Sequence, residues 1–298
     1  MNKIIFSGSA NPALSIKIAK KAKIEIGQIE LKQFSDAEIY ARVTKNVKNK
    51  EVNLVQSCAH RPNHYFMELL IIIDAIKRMK PKKIFLVLTF FPYRRQERIL
   101  FPGESLTAEL IAKLISRTKV NKVFLVELHV DIIEKFFTLP IKHIHTLPVF
   151  INYFQQKFSK TADLSVAAPD LGASAKAQEL AKALQVPYIK IRKERPSHEK
   201  VKIKKLEGNV KNRRIILLDD EINTGSTIIK ASEELKKNGA RDIYVAATHG
   251  IFSKNCLNQL QKLKIIKEIV VTDTIRQVKI IKKLKVISVA DIISKNLN

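Results

Sequence analysis

Apolar residues along the chain fall into short runs without alternation, and between these runs they recur at helical spacing. The runs at 84–91, 123–126, 164–168, 188–191 and 215–218 read as strands. Strands this uniformly apolar are buried on both faces, as in parallel sheets covered by helices. After 215–218, Ile228, Ile229, Ala231 and Leu235 continue at the period of a helix. Strands alternate with helices throughout, which predicts an α/β fold.

The pattern repeats. Residues 1–145 and 146–298 follow one plan, offset by about 160 residues. A strand, a small-residue turn and a helix over 4–22 parallel the same series over 164–182. Segment 52–56 parallels 215–219, and 83–89 parallels 242–248. Two tandem α/β domains are therefore expected, 1–145 and 146–298.

The copies differ where chemistry sits. In the second, Asp219 and Asp220 stand where the strand 215–218 ends, and ligands bind at the carboxyl ends of parallel strands. Asn223, Thr224, Gly225, Ser226 and Thr227 then form a hydroxyl-rich turn that opens a helix. Such a turn offers N–H groups and hydroxyls to one phosphate, and the acidic pair can accept hydrogen bonds from a ribose diol, directly or through Mg²⁺. The first copy has Gln56-Ser57-Cys58-Ala59-His60 at this place, with neither carboxylate pair nor glycine.

Other strand ends add candidates. Arg94, Arg95 and Arg98 follow the strand 84–91, where guanidinium groups suit phosphate recognition and base stacking. His129, in Glu127-Leu128-His129, and Asp170 stand after further strands. Lys193 and Arg195, two apart after the strand 188–191, point the same way in an extended segment and could clamp a polyphosphate. Residues 200–207 read as an exposed β-ribbon or flap. The polar turn Phe34-Ser35-Asp36-Ala37-Glu38 reads as a solvated hairpin.

The formal net charge of +26 raises nucleic acid as a partner. A specific nucleic-acid site gathers Lys and Arg on one arm or helix beside aromatics. Here they are spread over nearly every helix and loop, and the densest run, 190–214, contains no aromatic. The bias thus reads as general, attracting polyanions without specificity. The 46% hydrophobic and 28% charged content is that of a soluble globular protein, and the apolar runs are far too short to span a bilayer. No signal peptide follows Lys3. Cys58 and Cys256, the two cysteines, suit a reducing cytoplasm rather than a disulfide framework or zinc site. His60/His64 and His143/His145 have the pair spacing of metal ligands, but no nearby carboxylate completes either pair, and both read as structural or exposed.

FSDAE, FPYRRQER, ELH, APDLGA, KER, DDEINTGST and THGIFS together resemble the ribose-phosphate pyrophosphokinase family in order and spacing, over essentially the whole chain. The resemblance implies two tandem type I phosphoribosyltransferase-type domains, parallel sheets flanked by helices, and a homodimer or larger oligomer, up to a hexamer. It implies ATP recognition by Phe34, Asp36 and Glu38, lent by a neighbouring subunit, and by Arg95 and Gln96. His129 and Asp170 would hold Mg²⁺ with ATP. Asp219, Asp220 and Asn223 to Thr227 would bind ribose 5-phosphate together with Arg195. Lys193 and Arg195 would stabilise the pyrophosphoryl group in flight. Ala37 stands where the family most often has glycine, and Glu127 where it has aspartate. The segment 99–105 lacks the basic, serine-containing stretch of phosphate-activated members, and the chain stops at Asn298 without the family's usual terminal strand. Both departures predict weak or absent allosteric inhibition by ADP and a smaller oligomer.

Overall fold

The structure, a computed structural model, describes residues 2–197 and 200–297, with the backbone alone over 192–197 and 200–205. It divides into two compact units. The first gathers Met1–His145, Thr274–Arg276 and Ser288–Asn298; the second holds Thr146–Asp273 and Gln277–Ile287.

In the first unit, β1 (Lys3–Ser7), α1 (Pro12–Ala22) and β2 (Glu25–Ile26) lead to a hairpin of β3 (Ile29–Gln33) and β4 (Ile39–Val43). There follow β5 (Glu51–Ser57), α2 (Pro62–Arg78), β6 (Lys83–Phe90), α3 (Thr107–Arg117), β7 (Lys122–Val126), a 3-10 helix (Asp131–Phe136) and β8 (Ile141–Ile144). The second unit runs α4 (Leu147–Lys157), β9 (Leu164–Ala167), α5 (Ser174–Leu184), β10 (Tyr188–Ser197), β11 (Lys200–Glu207), β12 (Arg214–Ile222) and α6 (Ser226–Lys237). It continues with β13 (Asp242–Gly250), α7 (Cys256–Lys262), β14 (Ile266–Thr272) and β15 (Leu284–Ile287). The last helix, α8 (Ala290–Leu297), returns to the first unit and packs against α1, where Lys3 Nζ donates to the Leu297 carbonyl at 2.7 Å.

Local chemistry sets the element ends. Pro12 occupies the first turn of α1, where a missing N–H costs nothing, and the Asn11 side chain accepts from the Leu14 N–H. Lys23 then closes the helix in the left-handed region.

The two main sheets share one strand order. The first is β2-β1-β5-β6-β7-β8, and the second is β10-β9-β12-β13-β14-β15 with β11 added antiparallel on the β10 edge. Every other pairing in both is parallel. In each sheet the order reverses once, between β1 and β5 and between β9 and β12. At such a switch point the loops diverge and leave a crevice for a ligand.

The apolar runs are buried on both faces, as their lack of alternation predicts. Ile215 and Leu217 enter one core with Val245 and Ala247, while Ile216 and Leu218 enter the other with Ala246. Two strands are longer than their apolar runs. β12 continues through the acidic pair, because its ladder with β13 persists at Asp219↔Ala247 and Glu221↔His249. β10 runs to Ser197, so Lys193 and Arg195 lie within a strand of a β-ribbon rather than beyond one. The register with β11 shifts between Arg192 and Lys193 and again between Glu194 and Ser197, which interrupts the simple alternation expected there.

Candidate functional site

At the switch point of the second sheet, β12 delivers Asp219 and Asp220, and the turn after β9 delivers Asp170. Burial first, then the charges of Asp220 and Asp170, hold the Asp219 carboxyl well above the usual carboxylate range. The Asp219 carboxylate accepts from the Asp220 N–H at 2.8 Å, which offsets part of that rise. Asp170 also accepts from the Ala173 N–H at 3.3 Å, so it shapes the turn ahead of α5. Carboxylate oxygens are the donor type that a hard divalent cation takes, and these carboxylates repel one another.

The turn Asn223–Thr227 follows directly. Gly225 has φ +78°, and a Cβ there would stand 2.6 Å from the Cys256 Sγ at the start of α7. Left-handed backbone and absent space both require glycine at this position. No side chain caps α6, so the N–H groups of its first turn face the loop without an intrahelical acceptor. The Thr224 and Ser226 side chains are exposed with their hydroxyls 3.2 Å apart, and the Ser253 N–H donates to the Asn223 carbonyl at 3.0 Å to hold the loop. The result is a preformed anion cradle beside the acidic cluster. Sequence reasoning missed Cys256, whose role as the floor under Gly225 appears only once α7 is placed.

The remaining candidates sit in other places. Lys193 and Arg195 are in β10, but their side chains lie outside the described residues. Phe34, Asp36 and Glu38 occupy the exposed β3–β4 turn, where Glu38 N–H donates to Asp36 Oδ1 at 3.1 Å and Phe34 meets Tyr40 edge to face. Ala37 has φ +73°, the conformation that favours the glycine commoner there. Arg95 is exposed. Gln96 is tied to the start of α3, since its side-chain oxygen accepts from Thr107 and its carbonyl accepts from the Ala108 N–H. Arg94 is not part of a solvated arginine loop. It is buried, stacks over Phe90 at 4.8 Å and donates to the Glu127 carbonyl at 3.4 Å, which links the Arg95–Gln96 loop to the segment carrying His129.

His129 is exposed, and its neighbours are unusual. Glu127 is buried with φ +47°. The Leu128 N–H donates to His143 Nε2 at 3.0 Å, and the other nitrogen, Nδ1, is 2.8 Å from Glu134 in the 3-10 helix. Burial, then His145, lowers the His143 pKa, though Glu127 and Glu134 oppose this. The expectation that no carboxylate accompanies the His143/His145 pair is thus corrected. Glu127 with both histidines, and Asp131 with Glu134 and His143, each bring potential ligand atoms within 4.8 Å. These carboxylates are 9 to 18 positions away in the chain, and only the β7–β8 pairing and the 3-10 turn bring them to the rings. Because both His143 nitrogens already have partners, the ring serves hydrogen bonding rather than metal ligation.

Family models match most of the chain. Residues 3–118 match the N-terminal domain of ribose phosphate pyrophosphokinase, and residues 149–298 match the phosphoribosyl synthetase-associated domain. The ribose-phosphate pyrophosphokinase of Fusobacterium nucleatum is 36% identical over 296 residues, covering 99% of this chain and 93% of that protein. The Synechocystis enzyme of the same name is 37% identical over 272 residues, with 91% and 81% covered. A crystal structure of the phosphoribosylpyrophosphate synthetase of Mycobacterium smegmatis superposes with a TM-score of 0.91 at 31% identity, covering 100% of this chain and 98% of that one. Among the described residues no helix is long and apolar enough to cross a membrane. With this likeness running from end to end, over a matching pair of α/β units and the cradle beside Asp219, the chain belongs to the ribose-phosphate pyrophosphokinase family.

Proposed function

We propose specific roles for the candidate residues in the family's reaction, carried above all by one observation: an acidic pair and a preformed anion cradle share the switch point of the second sheet. The chain is an enzyme that transfers the pyrophosphoryl group of ATP to ribose 5-phosphate. Asp219 and Asp220 accept hydrogen bonds from the ribose diol, and Asn223, Thr224, Gly225, Ser226 and Thr227 hold the 5-phosphate. Phe34, Asp36, Glu38, Arg95 and Gln96 recognise ATP, the hairpin residues acting from a neighbouring subunit of a homo-oligomer, and their exposure supports this. His129 and Asp170 would hold Mg²⁺, which when bound supplies neutralising charge for the polyphosphate. On this reading 1–145 and 146–298 are the two phosphoribosyltransferase-like domains, the second carrying the ribose-phosphate loop. The free, buried thiols of Cys58 and Cys256 accord with a cytoplasmic location.

The ribose C1 hydroxyl attacks the β-phosphorus in line, the bond to the α-phosphate bridging oxygen breaks, and AMP leaves. The protein needs little covalent chemistry for this, because positioning and electrostatics lower the barrier. Lys193 and Arg195, with Arg195 also reaching the acceptor, stabilise the charge in transit. The test is AMP release from ATP and Mg²⁺. Release should require ribose 5-phosphate, and Lys193→Ala should cut it by about 10²- to 10³-fold. Equal AMP release without the sugar phosphate would overturn the reading.

A further inference from the structure

We infer that His143, paired with Glu134, is a positioning residue for His129, and so for the ATP side of the reaction; this rests on the role proposed above for His129. The β7–β8 ladder ends at Val126↔Ile144, one residue before Glu127 turns into the left-handed region at φ +47°. A non-glycine residue holds that conformation only where its surroundings enforce it. Three bonds do so. The Glu127 N–H donates to the Ile144 carbonyl at 3.1 Å, the Glu127 carbonyl accepts from Arg94 at 3.4 Å, and the Leu128 N–H donates to His143 Nε2 at 3.0 Å.

The third bond replaces the next rung of the sheet with a side chain. For Nε2 to accept, the proton must reside on Nδ1, which faces Glu134 Oε1 at 2.8 Å. Glu134 therefore selects the tautomer. It also belongs to the 3-10 helix Asp131–Phe136, which follows His129, whereas Leu128 precedes it. One imidazole thus joins both flanks of His129 and fixes the backbone that aims it. His145 lies against the same ring at a tilt of 37°, with centroids 4.0 Å apart, and limits its rotation.

The experiment measures KM for MgATP and for ribose 5-phosphate, with thermal melting as a check of folding, in the full-length enzyme. His143→Phe keeps the bulk and loses the acceptor. It should raise KM for MgATP about ten-fold, the low end for a partner that orients a ligand, while KM for ribose 5-phosphate stays unchanged. His143→Gln, whose amide oxygen can reach the place of Nε2, should recover most of the loss. Should the Phe variant fail to fold, Glu134→Ala, whose side chain is about one-third exposed, leaves the ladder intact and should shift KM for MgATP in the same direction. His129→Ala separates the two claims. If it impairs MgATP use but His143→Phe and Glu134→Ala do not, the positioning role is wrong. If His129→Ala itself has no effect, the reading of His129 fails first.

Discussion

The two switch points are built on the same strand order and do opposite things. In the first unit the strand ends are tied together by their own side chains. Glu68 of α2 is buried and accepts from the Ser9 N–H at 2.8 Å, from the Ser9 hydroxyl at 2.5 Å and from Gln56 Nε2 at 2.7 Å. Gln56 lies so close over Gly8 that a Cβ there would stand 2.5 Å from its amide. Donors meet acceptors there, beside a cavity of about 730 Å³ lined by Ser7, Gly8, Ser9, Ile26 and Gly27. In the second unit the corresponding strand end carries Asp219 and Asp220, facing Asp170, so carboxylates meet carboxylates. One strand end is tied up by donors from its own chain, and the other gathers mutually repelling charge. Like charges held together are costly to the fold and useful to a substrate.

The largest break in this contrast comes from the acidic pair. Replacing both Asp219 and Asp220 by Asn removes the negative charge and one acceptor oxygen from each side chain while preserving shape. Synthesis of phosphoribosyl diphosphate should fall by roughly 10²- to 10³-fold, with melting temperature maintained or raised. A fall in activity accompanied by a fall in melting temperature would mean that the carboxylates hold the fold together. Gly225→Ala is next. A methyl at φ +78° beside the Cys256 Sγ must displace the loop, at a cost of about 1 kcal/mol or more in stability. The expected outcome is a raised KM for ribose 5-phosphate with KM for ATP little altered. Adding Cys256→Ala should recover part of it, because space returns although the backbone strain does not. No recovery would assign the whole effect to backbone conformation.

The contrast was legible in the sequence at one level and hidden at another. The uniform apolar run at 215–218 and its parallel with 52–56 placed both strands, and the presence or absence of a DD pair and TGST turn already separated the halves. These features are local, so periodicity and spacing reveal them. Glu68 is twelve residues from Gln56 along the chain, on the face of a helix, and nothing in a string of letters shows it reaching back to Ser9. Arg94 read as a phosphate or base contact alongside Arg95 and Arg98, because composition cannot separate a buried guanidinium from an exposed one. The pairing of His143 with Glu134 and Leu128 likewise depends on how β8 lies beside β7. The left-handed backbone at Glu127 had no signal at all, since glutamate gives no sequence cue for φ above zero.

The first crevice can be tested on its own terms. Glu68→Ala leaves Gln56 Nε2 one acceptor short in a buried place, while the exposed Ser9 turns to water. That should cost about 1–3 kcal/mol of stability in denaturant unfolding. If the first crevice only supports the fold, KM for ribose 5-phosphate should not move. A change confined to substrate binding, without lost stability, would show that the first crevice has a catalytic task.

The smallest effect is one of pH. Because the folded pKa of Asp219 lies well above its unfolded value, the native state binds the proton more tightly than the unfolded chain. Its contribution is most favourable below the unfolded pKa and is lost as pH rises through the folded one. At neutral pH the ionised group therefore weakens the fold. Asp219→Asn should then raise stability by about 1 kcal/mol at pH 7, with the gain shrinking toward zero as the pH is lowered below the ordinary aspartate range. Glu68→Gln in the first crevice supplies the control, since Glu68 already has donors on both oxygens and its replacement should give no such gain at pH 7. Mg²⁺ held at Asp170 should narrow the difference at the second crevice, because it offsets the Asp170 charge that Asp219 meets in the wild type. Unfolding curves at several pH values, with and without the cation, measure all of these quantities. A gain for Asp219→Asn that persists unchanged at low pH would show that ionisation of Asp219 is not the source of the strain.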